Sequence, residues 1–272
     1  MSERFAEMNG ERKAKKGPPF QQWKPALTDD GKSRTYNVRF LPYMDQNEQP
    51  FQEVNYYDNK ALSPWRVVAP AQFGMEDPIS TLVSELRKQR NNKEAWTVIK
   101  GLLPRPRYFA PVFVREEAEK GVQIWELSPT VCKDIYSVLL SEDLRDEDVT
   151  DPNTGRDFQV SINPTPKTFT QPGTGKVYPV NETKVIARTK VSKLLKTEED
   201  ARKLIESIPD LQGIFKAQIR PLEELETMLE NYLADDKSPA PESEMAPFAM
   251  DSKEDEPSIE TVKSVEDQFA DL

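Results

Sequence analysis

The 272-residue chain contains no histidine and a single cysteine, Cys132. The first absence removes the commonest general base and the commonest metal ligand. With one thiol besides, a structural zinc site of cysteine and histidine cannot form. No disulfide framework is possible within the chain, which fits a reducing cytoplasm. No run of 18 apolar residues occurs, so no membrane span is expected. The N-terminus has charges but no apolar stretch after them, so no secretory signal is read. Apolar residues are 36% of the chain and charged ones 31%, low and high for a globular protein, so a folded core with solvated segments is expected.

The net charge of −10 argues against a nucleic-acid binder until it is located. Residues 234–272 hold 12 acidic and 3 basic side chains, a net of −9. Residues 1–233 hold 34 basic and 35 acidic, a net of −1, which leaves room for a local basic face. The chain therefore divides into a basic arm over 1–20, a core over 21–233 and an acidic tail over 234–272. The arm carries Arg4, Arg12, Lys13, Lys15 and Lys16, and such a segment can touch DNA or a neighbouring protomer. The tail, with Pro239, Pro241 and Pro247 among many acids, reads as disordered. Its last stretch keeps Ile259, Val262, Val265 and Phe269 at near-helical spacing, as a motif that folds on a partner would.

Within the core, Thr35 to Pro42 and Phe51 to Tyr57 read as strands, with a short third piece from Trp65 to Val68. Asp77-Pro78 opens a helix that buries Ile79, Leu82, Val83 and Leu86. Ser128-Pro129 opens a second, with Val131, Ile135, Val138 and Leu139 inward and Cys132 as a buried thiol. Strands are expected from Asp157 to Asn163 and from Thr183 to Val191, separated by a Pro- and Gly-rich loop, Pro164 to Pro179. Thr197 caps a helix through Ile208, and Pro221 starts the last one. The pattern predicts a mixed, mainly β chain: a small OB-fold-like barrel with inserted and C-terminal helices.

The stretch from Gly101 to Leu127 organises the functional reading. Arg105 and Arg107 alternate with prolines, which keeps that segment off a central strand. They run into Tyr108-Phe109 and a β-prone segment, and a second strand with Trp125 follows at hairpin distance. A cation row beside flat π-faces can hold a phosphate backbone while bases stack. Tyr108 and Phe109 must face opposite ways, so one is core and one groove. For Trp125, stacking competes with simple burial. Trp96 and Lys100 lie just upstream, and Lys167, Phe169, Lys176 and Tyr178 would supply an opposite wall from the loop. Lys184 and Arg188 (with Lys190) share a strand face, and Arg39 points away from the core between Val38 and Phe40. Solvated cations on ordinary strands are the competing reading for these last positions.

Two other motifs fail. Gly173-Thr174-Gly175-Lys176 echoes a phosphate loop but lacks the upstream glycine and the following Ser or Thr. Asp151 to Gly155 starts like a calcium loop, but its glycine is misplaced and no Glu follows at the twelfth position.

The chain resembles the single-stranded DNA-binding (helix-destabilising) proteins of the T-even-like bacteriophages. The matching words are Trp23-Lys24, Val38-Arg39-Phe40-Leu41-Pro42, Pro50-Phe51 with Val54-Asn55, and Arg107-Tyr108-Phe109-Ala110. Val131 to Ile135, Asp157-Phe158 and the terminal Ala270-Asp271-Leu272 complete them. The resemblance spans roughly residues 20–190 plus the tail. It implies an OB-fold core, a basic arm giving cooperative binding, and Tyr108 as a stacking residue. It also implies a tail, with Phe269, Asp271 and Leu272, that recruits replication and recombination proteins and competes with DNA for the groove. Relatives that hold a zinc use one His and three Cys; the corresponding slots here are Tyr56, Pro70, Asp77 and Ser80, so no metal is expected. The family's Lys/Arg-Ser/Thr arm motif is missing as a contiguous word, with Arg12 to Lys16 as the substitute.

The sequence therefore predicts a non-enzymatic, sequence-tolerant single-stranded DNA binder with no cofactor. It would act in phage DNA replication, recombination and repair, in the cytoplasm of the infected bacterial host. The alternatives are an RNA-binding OB protein and an adaptor acting mainly through the acidic tail.

Overall fold

A computed structural model describes residues 19–45, 50–89, 92–170 and 175–234. The arm positions Arg4, Arg12, Lys13, Lys15 and Lys16 and the tail positions Phe269, Asp271 and Leu272 lie outside the described residues. The strands are β1 (Gln22–Trp23), β2 (Arg34–Phe40), β3 (Gln52–Tyr57), β4 (Val67–Val68), β5 (Arg105–Val114), β6 (Val122–Leu127), β7 (Arg156–Thr170) and β8 (Val177–Val191). The helices are α1 (Pro78–Arg87), α2 (Lys93–Leu102), α3 (Pro129–Leu139), α4 (Glu198–Glu206), α5 (Leu211–Lys216) and α6 (Leu222–Ala234).

The sheet runs in the order β1-β6-β5-β2-β7-β8. One edge of β5 is divided between two partners: β3 takes Arg105 to Phe109 and β2 takes Val112 to Val114. Among the described residues no pairing joins β8 to β1, so the sheet is not a closed barrel. The described part of the chain is mixed rather than mainly β, because its six α-helices cover the sheet and build a core of their own. None of the described helices is long and apolar enough to cross a membrane.

Strand alternation divides the apolar residues between two faces. The inner face gathers Val38, Phe40, Ala110, Val112, Trp125, Leu127, Phe158 and Val160 under Cys132 and Ile135 of α3. The outer face carries Val54, Tyr56, Phe109 and Ile124 against Leu211 and Phe215 of α5. Further along that face, Leu41 and Phe113 meet Leu194 and Ala201. A separate core joins Tyr57, Leu62 and Val67 to Ile79 and Val83 of α1, Ile99 and Leu102 of α2, and Leu225 and Leu229 of α6.

The helix starts follow from their caps. Asp77 accepts from the amides of Ile79 and Ser80, Ser128 from Val131, and Thr197 from Asp200. Asn92 caps α2 and Asp210 caps α5, two helices absent from the sequence reading.

The expected loop from Pro164 to Pro179 is a correction. Most of it is strand, because β7 and β8 each continue for 15 residues. β2 pairs β7 only from Phe158 to Ile162, so the far part of the hairpin pairs with itself alone. Pro164 opens a register shift and Pro179 sits on the edge strand, positions where a missing donor costs no ladder bond.

Candidate nucleic-acid interface

Arg105 and Arg107 stand on the outer face of β5, two residues apart and opposite Tyr56 and Val54 of β3. The β6 ladder stops at the pair Tyr108–Leu127. Arg105 to Arg107 therefore has a partner strand on one side only, which is why Pro106 is tolerated there. From Tyr108 onward β5 is central, so the expectation of a non-central segment holds for this end alone.

Three strands and the loop before β4 meet around the carboxylate of Glu126 on the same face. Arg66 Nη1 approaches Glu126 Oε1 at 2.5 Å, and Arg107 Nε lies 3.8 Å from that same oxygen. Gln22 Nε2 donates to Oε2 at 3.2 Å. Arg66 also faces Asp58 at 3.6 Å, and its guanidinium lies 5.9 Å from the Tyr56 ring centroid. Burial depresses the Arg66 pKa, but Glu126 and Asp58 outweigh it and the net shift is upward. Trp65, beside Arg66, is 59% exposed. Sequence reasoning did not single out Trp65 or Arg66, although an aromatic next to a cation was the available signal.

Tyr108 does not share this face. It is half-buried on the inner side, in register with Glu53, and packs against the inner core. Desolvation, then the charge of Glu53, raises its pKa. Behind it, burial pushes the Cys132 thiol and the Tyr136 phenol each up to about 12. Phe109 is the core member of the pair, 4.5 Å centroid to centroid from Phe215. The two arginines and the tyrosine thus flank one strand from opposite sides, rather than forming one wall.

The β7–β8 hairpin brings a second set together. Phe169 and Tyr178 are cross-strand partners, 52% and 46% exposed. Lys167 and Lys176 are exposed on the same part of the hairpin. Lys184 is exposed but lies 3.4 Å from Glu182. A register shift between Ala187 and Val191 interrupts the face that Lys184, Arg188 and Lys190 were expected to share, although Arg188 is exposed. Trp96 and Lys100 are exposed on α2, four residues apart and hence on one flank of the helix.

Two expected contacts are corrected. Arg39 is 0% exposed, because the outer side of β2 is covered by residues 151–155 and 192–194. Its guanidinium meets Asp157 at 3.0 Å and donates to the carbonyls of Asp151, Gly155 and Ser192. Desolvation is the largest influence on its pKa and the net shift is downward. Arg115 grips the same Asp157 at 2.9 Å and the carbonyls of Lys193 and Leu194. Trp125 is buried between Trp23, 4.9 Å away, and Phe40, 6.2 Å away and stacked. Neither side chain has surface to offer a nucleic acid.

A cleft of about 630 Å³ between Phe40, Tyr43, Phe51, Pro111 and Leu139 is lined on its polar side by Glu147 and Asp148. Arg145, also in its wall, is paired with Asp146, and Glu147 with Arg156, which leaves the charge of Asp148 in the lining. That balance does not suit a polyphosphate.

The family model described as gp32 DNA binding protein like matches residues 31–233. The match takes in the arginine face, α2 and the whole β7–β8 hairpin. Among curated proteins, none matches the chain.

Proposed function

Since the chain belongs to the gp32 DNA binding protein like family, we propose that it coats single-stranded DNA with little regard to sequence. Membership supports binding of single-stranded DNA in general. The observation that carries the reading to this chain's own surface is the exposed Phe169–Tyr178 pair beside Lys167 and Lys176. Flat faces serve bases that have left the duplex, and each stacked base is worth about 1–3 kcal/mol. Arg105, Arg107 and Arg66 supply phosphate neutralisation on the sheet, with Tyr108, Trp96 and Lys100 at its margins.

In this reading the strands around the inner core form an OB-like platform. The acidic excess of residues 234–272 lies outside it and supports a role for the tail in recruiting replication and recombination proteins. The arm would join neighbouring protomers along a strand during phage replication, recombination and repair, in the cytoplasm of the infected host.

Titration of a fluorescent oligo-dT tests the reading. Binding should be tight at low salt, fall steeply as salt rises and resist competition by duplex DNA. Deletion of residues 234–272 should leave it as tight or tighter. Absence of binding at low salt, or equal competition by duplex, overturns the proposal. Matched U oligomers separate DNA from RNA preference, and loss of function on truncation with DNA binding intact would favour the adaptor reading.

A further inference from the structure

We propose that Glu126 holds the seat of a backbone phosphate: its carboxylate occupies the space between Arg66 and Arg107 until an incoming strand displaces it. The inference rests on the reading that this arginine face takes the DNA backbone. A carboxylate and a phosphate present the same kind of oxygen pair to a guanidinium fork. One oxygen of Glu126 serves both arginines, at 2.5 and 3.8 Å, and the other is held by the neutral amide of Gln22 at 3.2 Å. A phosphate placed there would meet the same three donors and carry its own chain onward along the face.

The seat is accessible. The side chains of Arg66 and Glu126 are 40% and 24% exposed, so the exchange requires rotation of side chains and no opening of the core. Arg105, two residues from Arg107 on the same face, makes no ion pair among the described residues and is open from the start. The unliganded row is thus partly neutralised by the protein itself. A single phosphate competes poorly with a tethered carboxylate, whereas a polyphosphate gains its first hold on Arg105 and then displaces Glu126 at high local concentration. The device therefore favours polymers over free nucleotides or inorganic phosphate.

A structural ion-pair network joining β1, β5 and β6 would have the same geometry, and a double-mutant cycle separates the two. Oligo-dT affinity is measured for the full chain and for E126Q, R66Q, R107Q and E126Q/R66Q, with thermal unfolding of each. Exposed ion pairs are worth up to about 1 kcal/mol, so E126Q should bind about 3- to 5-fold tighter at low salt. Its salt dependence should steepen by about one phosphate's worth. The gain should shrink in the R66Q background. Glu126→Asp, which draws the charge back, should fall between wild type and E126Q, and it tests the idea should E126Q fail to fold. If wild type binds and R66Q weakens binding, but E126Q binds equally or less tightly, the seat-holding role is wrong. If wild type fails to bind, or R66Q and R107Q leave its binding unchanged, the reading of the arginine face fails first.

Discussion

The phenol of Tyr57 donates to the carboxylate of Asp77 at 2.7 Å, tying the end of β3 to the first turn of α1. The same carboxylate accepts from the amides of Ala71, Ile79 and Ser80. One buried side chain thereby joins three segments of the outlying helical core. Replacing Asp77 by Ala removes a cap worth about 1 kcal/mol and orphans a buried hydroxyl at about 1–3 kcal/mol. Chemical denaturation should show a loss of about 2–4 kcal/mol for D77A and about 1 kcal/mol for Y57F. An unchanged midpoint for D77A would refute the role.

The Arg39–Asp157–Arg115 cluster predicts a stability effect without a binding effect. R39M strands carbonyls of Asp151, Gly155 and Ser192 and should cost about 3–5 kcal/mol. At a temperature where the variant is still folded, its oligo-dT affinity should equal that of wild type. Gly155→Ala should also destabilise, since a Cβ there would lie 2.5 Å from the carbonyl oxygens of Asp151 and Val149.

On the hairpin the expectation is reversed. F169A and Y178A should each weaken oligo-dT binding by about 1–3 kcal/mol while the melting temperature stays within a degree or two of wild type. W125A, by contrast, should cost about 3–5 kcal/mol of stability through the cavity it leaves. Wild-type affinity in both F169A and Y178A would remove the hairpin from the interface.

Alkaline pH should destabilise the protein, beginning with the buried thiol, whose ordinary pKa is lower than a phenol's. The thiol of Cys132 and the phenol of Tyr136 have pKa values near 12 in the fold, against 9.0 and 10.0 ordinarily. Between those limits the unfolded chain gives up its protons first, so stability is complete below about pH 9 and falls as pH rises towards 12. Thermal unfolding from pH 7 to pH 11 should show this decline, and C132A should begin it later, near pH 10.

Much of the fold was legible where a local signal decides the structure. Asp77-Pro78, Ser128-Pro129 and Thr197 each placed a helix start correctly, because a cap acts within its own turn. α2 was equally legible and overlooked: Asn92 is its cap, and Ala95, Ile99 and Leu102 follow at helical spacing. Arg39 was misread because alternation gives the side of a strand and not what covers it; its cover comes from residues more than a hundred positions away. The prolines of the hairpin suggest a loop because an unpaired edge is a property of the sheet, invisible in the segment itself. β1 pairs in parallel with residues a hundred positions on and has only two residues with which to announce it. In the interface, the aromatic–cation words pointed to the hairpin and to β5, but the sidedness of Tyr108 and Arg107 needed the register.

The grip of Arg39 and Arg115 has a geometric consequence. Both guanidinium groups hold the foot of the β7–β8 hairpin, at residues 151–155 and 192–194, while the strands beyond Ile162 and Thr183 pair only with each other among the described residues. Direction is therefore determined at the foot and reach by the length of the two strands, through different residues. Adding two residues to each strand beyond Pro164 would carry Phe169 and Tyr178 about 7 Å further out, turned by the twist of the added segment. The reach of the hairpin thus becomes a quantity that changes by whole pairs of residues, independently of the sheet on which it is mounted.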